Sequence, residues 1–203
     1  MQKWSTIALA RFACLYAGAI WGIFWIPVRA INDAGIHGVW SSAIWFAVPT
    51  CLLLPIAIFR FNSIKAGGLG LQITAILSGV ALLCYTLAFL YTDVVRAMLL
   101  YYLTPVWSTL LAAAVLRETI TWQRIVAIVL AIIGMLVIFG LGLNFPVPRN
   151  IGDWLGILSG FVWAIAIVRI RKHENHSAVA MTIGFFFWSM ITSLILCLSL
   201  IHI

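Results

Sequence analysis

Few residues in this sequence are able to do covalent or acid–base chemistry, and their placement argues against both. The carboxylates Asp33, Asp93, Glu118, Asp153 and Glu174 all stand at the edges of apolar stretches. Ser159-Gly160 offers a hydroxyl, but no His or Asp lies in 97–148 to serve as its base. His37, His173 and His176 fall in connections, and His202 lies at the end of the chain. A nucleophile needs a base within hydrogen-bond reach, so no catalytic residue is assigned and the chain does not read as an enzyme. Cys14, Cys51, Cys84 and Cys197 are spread one per apolar segment without a C-x-x-C pair. That spacing supports no disulfide framework, metal site or cofactor.

Rings, prolines and one acidic loop remain. Trp21 and Trp25 are four apart and share a helical face, as do Gly18 and Gly22, a spacing that favours close helix packing. Tyr85, Phe89, Tyr101, Tyr102, Trp107 and Trp163 add further rings, with hydroxyls on the tyrosines. A cavity lined by such groups suits amphipathic organic solutes through apolar contact and a few hydrogen bonds. The candidate cavity set is therefore Trp21, Trp25, Tyr85, Tyr101, Tyr102 and Trp163, with core packing or lipid contact as the competing reading of each. Pro27 and Pro105 each remove a helical hydrogen bond and serve as hinges or as static bends. Arg117 and Glu118 form a candidate gating ion pair, or else cap a loop.

The elements that position these residues follow from composition. Of 203 residues 65% are hydrophobic and 8% charged, too few charges to cover a water-soluble surface. The net charge of +7 is scattered singly or in small groups between apolar stretches, which reads as membrane topology and not as nucleic-acid binding. Charge-free windows over 12–28, 34–59, 66–92, 97–116, 125–148, 154–168 and 177–203 can each hold a transmembrane helix, the two shortest with the help of flanking residues. Alternation is absent and the apolar runs are too long for a β-barrel. The fold is thus an all-α polytopic membrane helix bundle with about seven spans, near 12–30, 41–59, 71–91, 95–116, 123–141, 153–170 and 179–200. Turn signals separate them at 32–35, at 62–63 with 67–68, and at 144–148. Trp4, Trp40, Trp122 and Trp154 sit at helix edges as interfacial anchors. No A-x-A-like cleavage site follows the first apolar run, so it is a retained helix.

Shifting the sequence by 142 residues lays Phe12–Phe61 over Trp154–Ile203, with Gly18/Gly160, Trp21/Trp163, Ile23/Ile165 and Arg29/Arg171 among seven identities. Five helices per unit give units of opposite orientation, the inverted-repeat plan of many transporters. Coincidence in a biased composition competes with that reading.

The run Ala97-Met98-Leu99-Leu100-Tyr101-Tyr102-Leu103-Thr104-Pro105-Val106-Trp107, followed by Leu116-Arg117-Glu118-Thr119-Ile120-Thr121, resembles the EamA-type family of drug/metabolite transporters. Trp21-Gly22 resembles the family's first helix, Ile133-Gly134-Met135 its fifth, and Gly152-Asp153-Trp154-Leu155-Gly156-Ile157-Leu158-Ser159-Gly160 with Ala164 the opening of its second repeat. Arg117 replaces the usual glycine, and Trp45 stands before Phe46 where a basic residue is common. The resemblance implies a ten-helix inverted-repeat architecture, of which 1–142 is the first five-helix repeat and 150–203 two helices of the second. It also implies an inner (plasma) membrane transporter that exports small organic metabolites, such as amino acids, with the lipid bilayer and a small organic solute as partners. A homo-oligomer stays open. The alternatives are a truncated or non-transporting membrane protein and a seven-helix receptor-like protein. The last is disfavoured by charge bias and by a final helix without a lysine for a Schiff base.

Orientation is countable. A cytoplasmic N-terminus places Lys3, Arg11, Arg60, Lys65, Arg117, Arg124, Arg169, Arg171 and Lys172 inside, and only Arg29, Arg96 and Arg149 outside. In a cysteine-free background, single cysteines at Asn62 and Asn144 should be labelled from the cytoplasmic and the external side respectively. Labelling of the Asn62 position from outside intact cells would overturn this topology.

Overall fold

The computed structural model describes residues 2–36, 38–139, 148–173 and 176–201, and those residues form ten helices and no strand. They are α1 (Gln2–Gly22), α2 (Trp25–Asp33), α3 (Val39–Phe59), α4 (Phe61–Ala66), α5 (Gly68–Tyr91), α6 (Val94–Tyr101), α7 (Thr104–Leu116), α8 (Trp122–Phe139), α9 (Ile151–Lys172) and α10 (Ala178–Ile201). Six spans are long and apolar enough to cross a membrane, two of them built from the broken pairs α1–α2 and α6–α7. Trp122–Ile138 is a shorter apolar helix in the place of the expected fifth span. The chain is a multi-pass, all-α membrane bundle. Of the expected turn at 144–148 only Pro148 is described, and Glu174, His37 and His202 also lie outside the described residues.

The first helix starts ten residues before the expected position, because nothing between Gln2 and Ala17 breaks a helix. Both breaks fall where proline predicts them. Pro27 has no N–H to give the Ile23 carbonyl, and the chain turns at Ile23-Phe24 with Phe24 and Ile26 reaching back only three residues. Pro105 likewise leaves the Tyr101 carbonyl unpaired by the backbone, and the Thr104 hydroxyl donates to it at 2.6 Å. Pro49 and Pro55, by contrast, lie inside the continuous helix α3.

Lipid gives helices no hydrophobic reason to associate, so close backbone approach has to hold them. The most extensive packing is α5 against α9, followed by α10 against α5 and α3, and α9 against α7 and α6. Glycines make these approaches. A Cβ on Gly79 of α5 would lie 2.7 Å from the Ser189 amide nitrogen of α10, and one on Gly184 would lie 2.8 Å from the Ala75 Cβ. Along α9, Gly152, Gly156 and Gly160 form one stripe at four-residue spacing. A Cβ at Gly152 would meet the Tyr91-Thr92 backbone at 2.7 Å, and one at Gly160 the Tyr101 carbonyl oxygen at 2.8 Å. The packing role expected for Gly18 and Gly22 does not hold: nothing lies within 4 Å of either, and α1 is exposed over 7–20. Helices α3 and α10, which the 142-residue shift relates, pack directly on each other, as equivalent elements of an inverted repeat do beside its axis.

Alanine scanning of glycines in detergent-solubilised protein should separate these classes. Gly79→Ala should cost about 1–3 kcal/mol of thermal stability through backbone overpacking. Gly18→Ala should be neutral or gain up to about 1 kcal/mol, since helix propensity alone acts there.

Candidate functional site

All six spans supply aromatic side chains to the middle of the bundle. Tyr85, 1% exposed, is the hub. Its ring lies parallel to Trp21 at 6.0 Å, edge-on to Phe89 at 4.4 Å and tilted to Tyr101 at 4.5 Å. Phe24, at the break between α1 and α2, joins Trp21 at 5.2 Å and Trp45 of α3 at 5.5 Å. From the opposite side α9 contributes Trp163, which packs on Phe185 of α10 at 5.8 Å.

Trp21, Tyr85, Tyr101 and Trp163, with Ala81 and Leu82, surround one cavity of only about 10 Å³. That is room for one water, and this conformation is closed at its centre. Two features make the enclosure suggestive. Trp21 and Trp163 are partners under the 142-residue shift, and Tyr101 stands at the break ahead of Pro105. The lining has no charge, so it offers ring faces, indole N–H groups and phenol hydroxyls.

The other two candidate aromatics lie elsewhere. Trp25 sits under the Arg29 guanidinium, 5.9 Å from ring centroid to Cζ, at the wall of a separate cavity. Tyr102, 56% exposed, faces an apolar groove between α7 and α8. Pro27 and Pro105 are at helix breaks, which is geometry and not yet motion.

The proposed Arg117–Glu118 pair is corrected. Arg117 adopts the left-handed conformation that ends α7, φ +56°, and Glu118 pairs instead with Arg124 at 2.9 Å and Arg171 at 3.2 Å. Arg117 is spent on turning the chain, while Arg124 opens α8 and Arg171 closes α9. The hydrogen bond from Arg124, with the nearby Arg171 charge, holds the Glu118 carboxyl below its ordinary value. Its pairs therefore contribute above the unfolded carboxylate range and are lost only as pH falls through that lowered value.

At the other end of the bundle is a network whose carboxylate sequence reasoning had placed only at a helix edge. Asp153 is fully buried in the first turn of α9. One oxygen accepts from the Thr92 hydroxyl at 2.8 Å, the other from Arg96 Nε at 2.7 Å and the Arg149 amide at 2.8 Å. Asn150 caps the helix by accepting from the Asp153 amide at 2.8 Å and donates to Thr92 at 3.1 Å. Arg29 donates to the carbonyls of Phe89 and Thr92, each at 3.1 Å. The available signal was an Asp inside a glycine-striped helix start together with three arginines on the sparsely charged side.

Among the described residues no group of three or more His, Cys, Asp or Glu is placed to hold a metal. Asp153→Ala should remove the carboxylate that accepts from Arg96, Thr92 and the Arg149 amide, and cost at least about 2 kcal/mol in a detergent melt. Asp153→Asn, which keeps an acceptor, should cost less than Ala; equal and negligible losses would show that the network is not structural.

The geometry can be compared with known proteins. A protein described as an uncharacterized transporter from Helicobacter pylori is 22% identical, over 94% of this chain and 65% of the relative's length. The chain therefore spans about two thirds of that curated relative. No solved structure matches it. The EamA-like transporter family matches residues 8–140, from the first helix to the end of α8, and on that match the chain belongs to the EamA-like transporter family.

Proposed function

We propose that the protein to which this chain belongs exports small organic solutes, amino acids or similar amphipathic compounds, through the bundle centre. The observation that carries the reading is the convergence of Trp21, Tyr85, Tyr101 and Trp163 from four spans on one closed, uncharged cavity. A lining of rings and hydroxyls favours an uncharged or zwitterionic cargo. The absence of a carboxylate from that lining favours a facilitator or exchanger over a proton-driven pump. A cavity of about 10 Å³ admits no such cargo, so transport on this reading requires the breaks at Pro27 and Pro105 to open it. We assign residues 1–142 to a first repeat and 150–203 to two helices of a second, in an inner membrane with the N-terminus cytoplasmic.

Proteoliposome uptake and efflux should be measured over amino acids, amines and sugars, for this chain and for a version extended to ten helices. The extended protein should move at least one zwitterionic or neutral solute, and Ala at all four positions should abolish it. Transport unchanged in the quadruple variant would overturn the cavity assignment. No transport by the extended protein would favour a non-transporting membrane protein.

A further inference from the structure

The bundle has a second cavity, unlike the first in size and charge. It measures about 760 Å³ and opens at the Asp153 end, between α2, the start of α6 and the residues preceding α9. Three arginines line it, Arg29, Arg96 and Arg149, against the single carboxylate of Asp93. Arg96 is balanced from behind by buried Asp153, and Arg29 donates to two carbonyls, which anchor it without cancelling its charge. Among the described residues Arg29 makes no ion pair, so its charge remains available at the wall, with Asp33 one helical turn further along α2. Trp25 and Leu99 give the same wall an apolar face. The amino terminus of α6 lies there too: Val94 and Val95 line the cavity, and the Asp93 side chain does not cap the helix.

We propose that this cavity is a binding vestibule for the carboxylate of an organic acid or zwitterion, with the carboxylate at Arg29 and the apolar part against Trp25 and Leu99. Arg29 spends two of its five N–H donors on carbonyls, and those left at the guanidinium edge suit a carboxylate in plane, while the volume lies in the range of small-molecule sites. The inference deepens the transport reading, giving the solute a polar end that the uncharged central cavity does not bind. Its role in transport rests on that reading; the binding itself does not.

The test uses the chain in phosphatidylcholine nanodiscs, with 4-fluorophenylacetate and its neutral amide as probes followed by fluorine NMR. The acid should bind at least about tenfold more tightly than the amide. Arg29→Gln should weaken the acid about tenfold and Arg29→Lys about threefold or less. Asp93 is exposed and makes no side-chain cap, so Asp93→Asn should fold normally and tighten binding about threefold, the more so at low salt. That variant decides the matter if Arg29→Gln does not fold. Equal binding of acid and amide, no tightening in Asp93→Asn, or loss of the probe when phosphatidylglycerol replaces phosphatidylcholine would overturn the proposal, the last by making this a lipid headgroup site. Transport without this binding overturns the vestibule alone; binding without transport overturns the carrier reading alone.

Discussion

Close backbone contact along the glycine stripe of α9 is the constraint on which the other features depend. Gly152, Gly156 and Gly160 let α9 lie on the end of α5 and along α6, with no side chain between the backbones. Only at that separation does the Asp153 carboxylate reach Arg96 and Thr92 across 57 and 61 residues of sequence. The same approach sets Trp163 opposite Tyr85 around the closed cavity. A larger residue at Gly160 would press on the Tyr101 carbonyl, at the break in the fourth span. Packing, the polar network and the aromatic centre are therefore one arrangement.

What the sequence disclosed and what it withheld divide along physical lines. Spans were legible because charges are costly in lipid and so mark the ends of helices. The breaks at Ile23-Phe24 and Tyr102-Leu103 were legible because proline's missing N–H is a local fact. Gly18 and Gly22 failed as packing signals because glycine spacing tells which face is bare, not whether a neighbour occupies it; Gly79, which has no partner at that spacing, makes the closer contact. Arg117 was the neighbour of Glu118 in sequence, but its left-handed backbone ends a helix, and the partners came from α8 and α9. In sequence, Arg29, Arg96 and Arg149 signal topology alone. Their shared cavity depends on tertiary contacts that no local pattern encodes.

Helix α9 is tied to the fourth span at both ends. At one end Asp153 holds Arg96 of α6, and at the other Arg171 holds Glu118, just beyond α7. The ties differ in kind. Asp153 is wholly buried with both oxygens engaged, so separating it from Arg96 would leave a desolvated carboxylate short of its charged donor. Glu118 and its arginines are partly exposed, where water replaces a broken contact and an ion pair is worth about 0–1 kcal/mol.

The break at Tyr102-Leu103 lies between these ties, so α6 and α7 need not move together. Opening the cavity at Tyr101 by tilting α7 breaks the weaker tie, whereas tilting α6 breaks the stronger one. In these two polar ties alone, the Glu118 end is the less costly to separate. On the proposed topology the Asp153 end faces outward, and with its arginine-lined cavity already accessible it has less need to move in order to release an exported solute. A carrier built this way would spend its conformational work at one mouth and its electrostatic selectivity at the other.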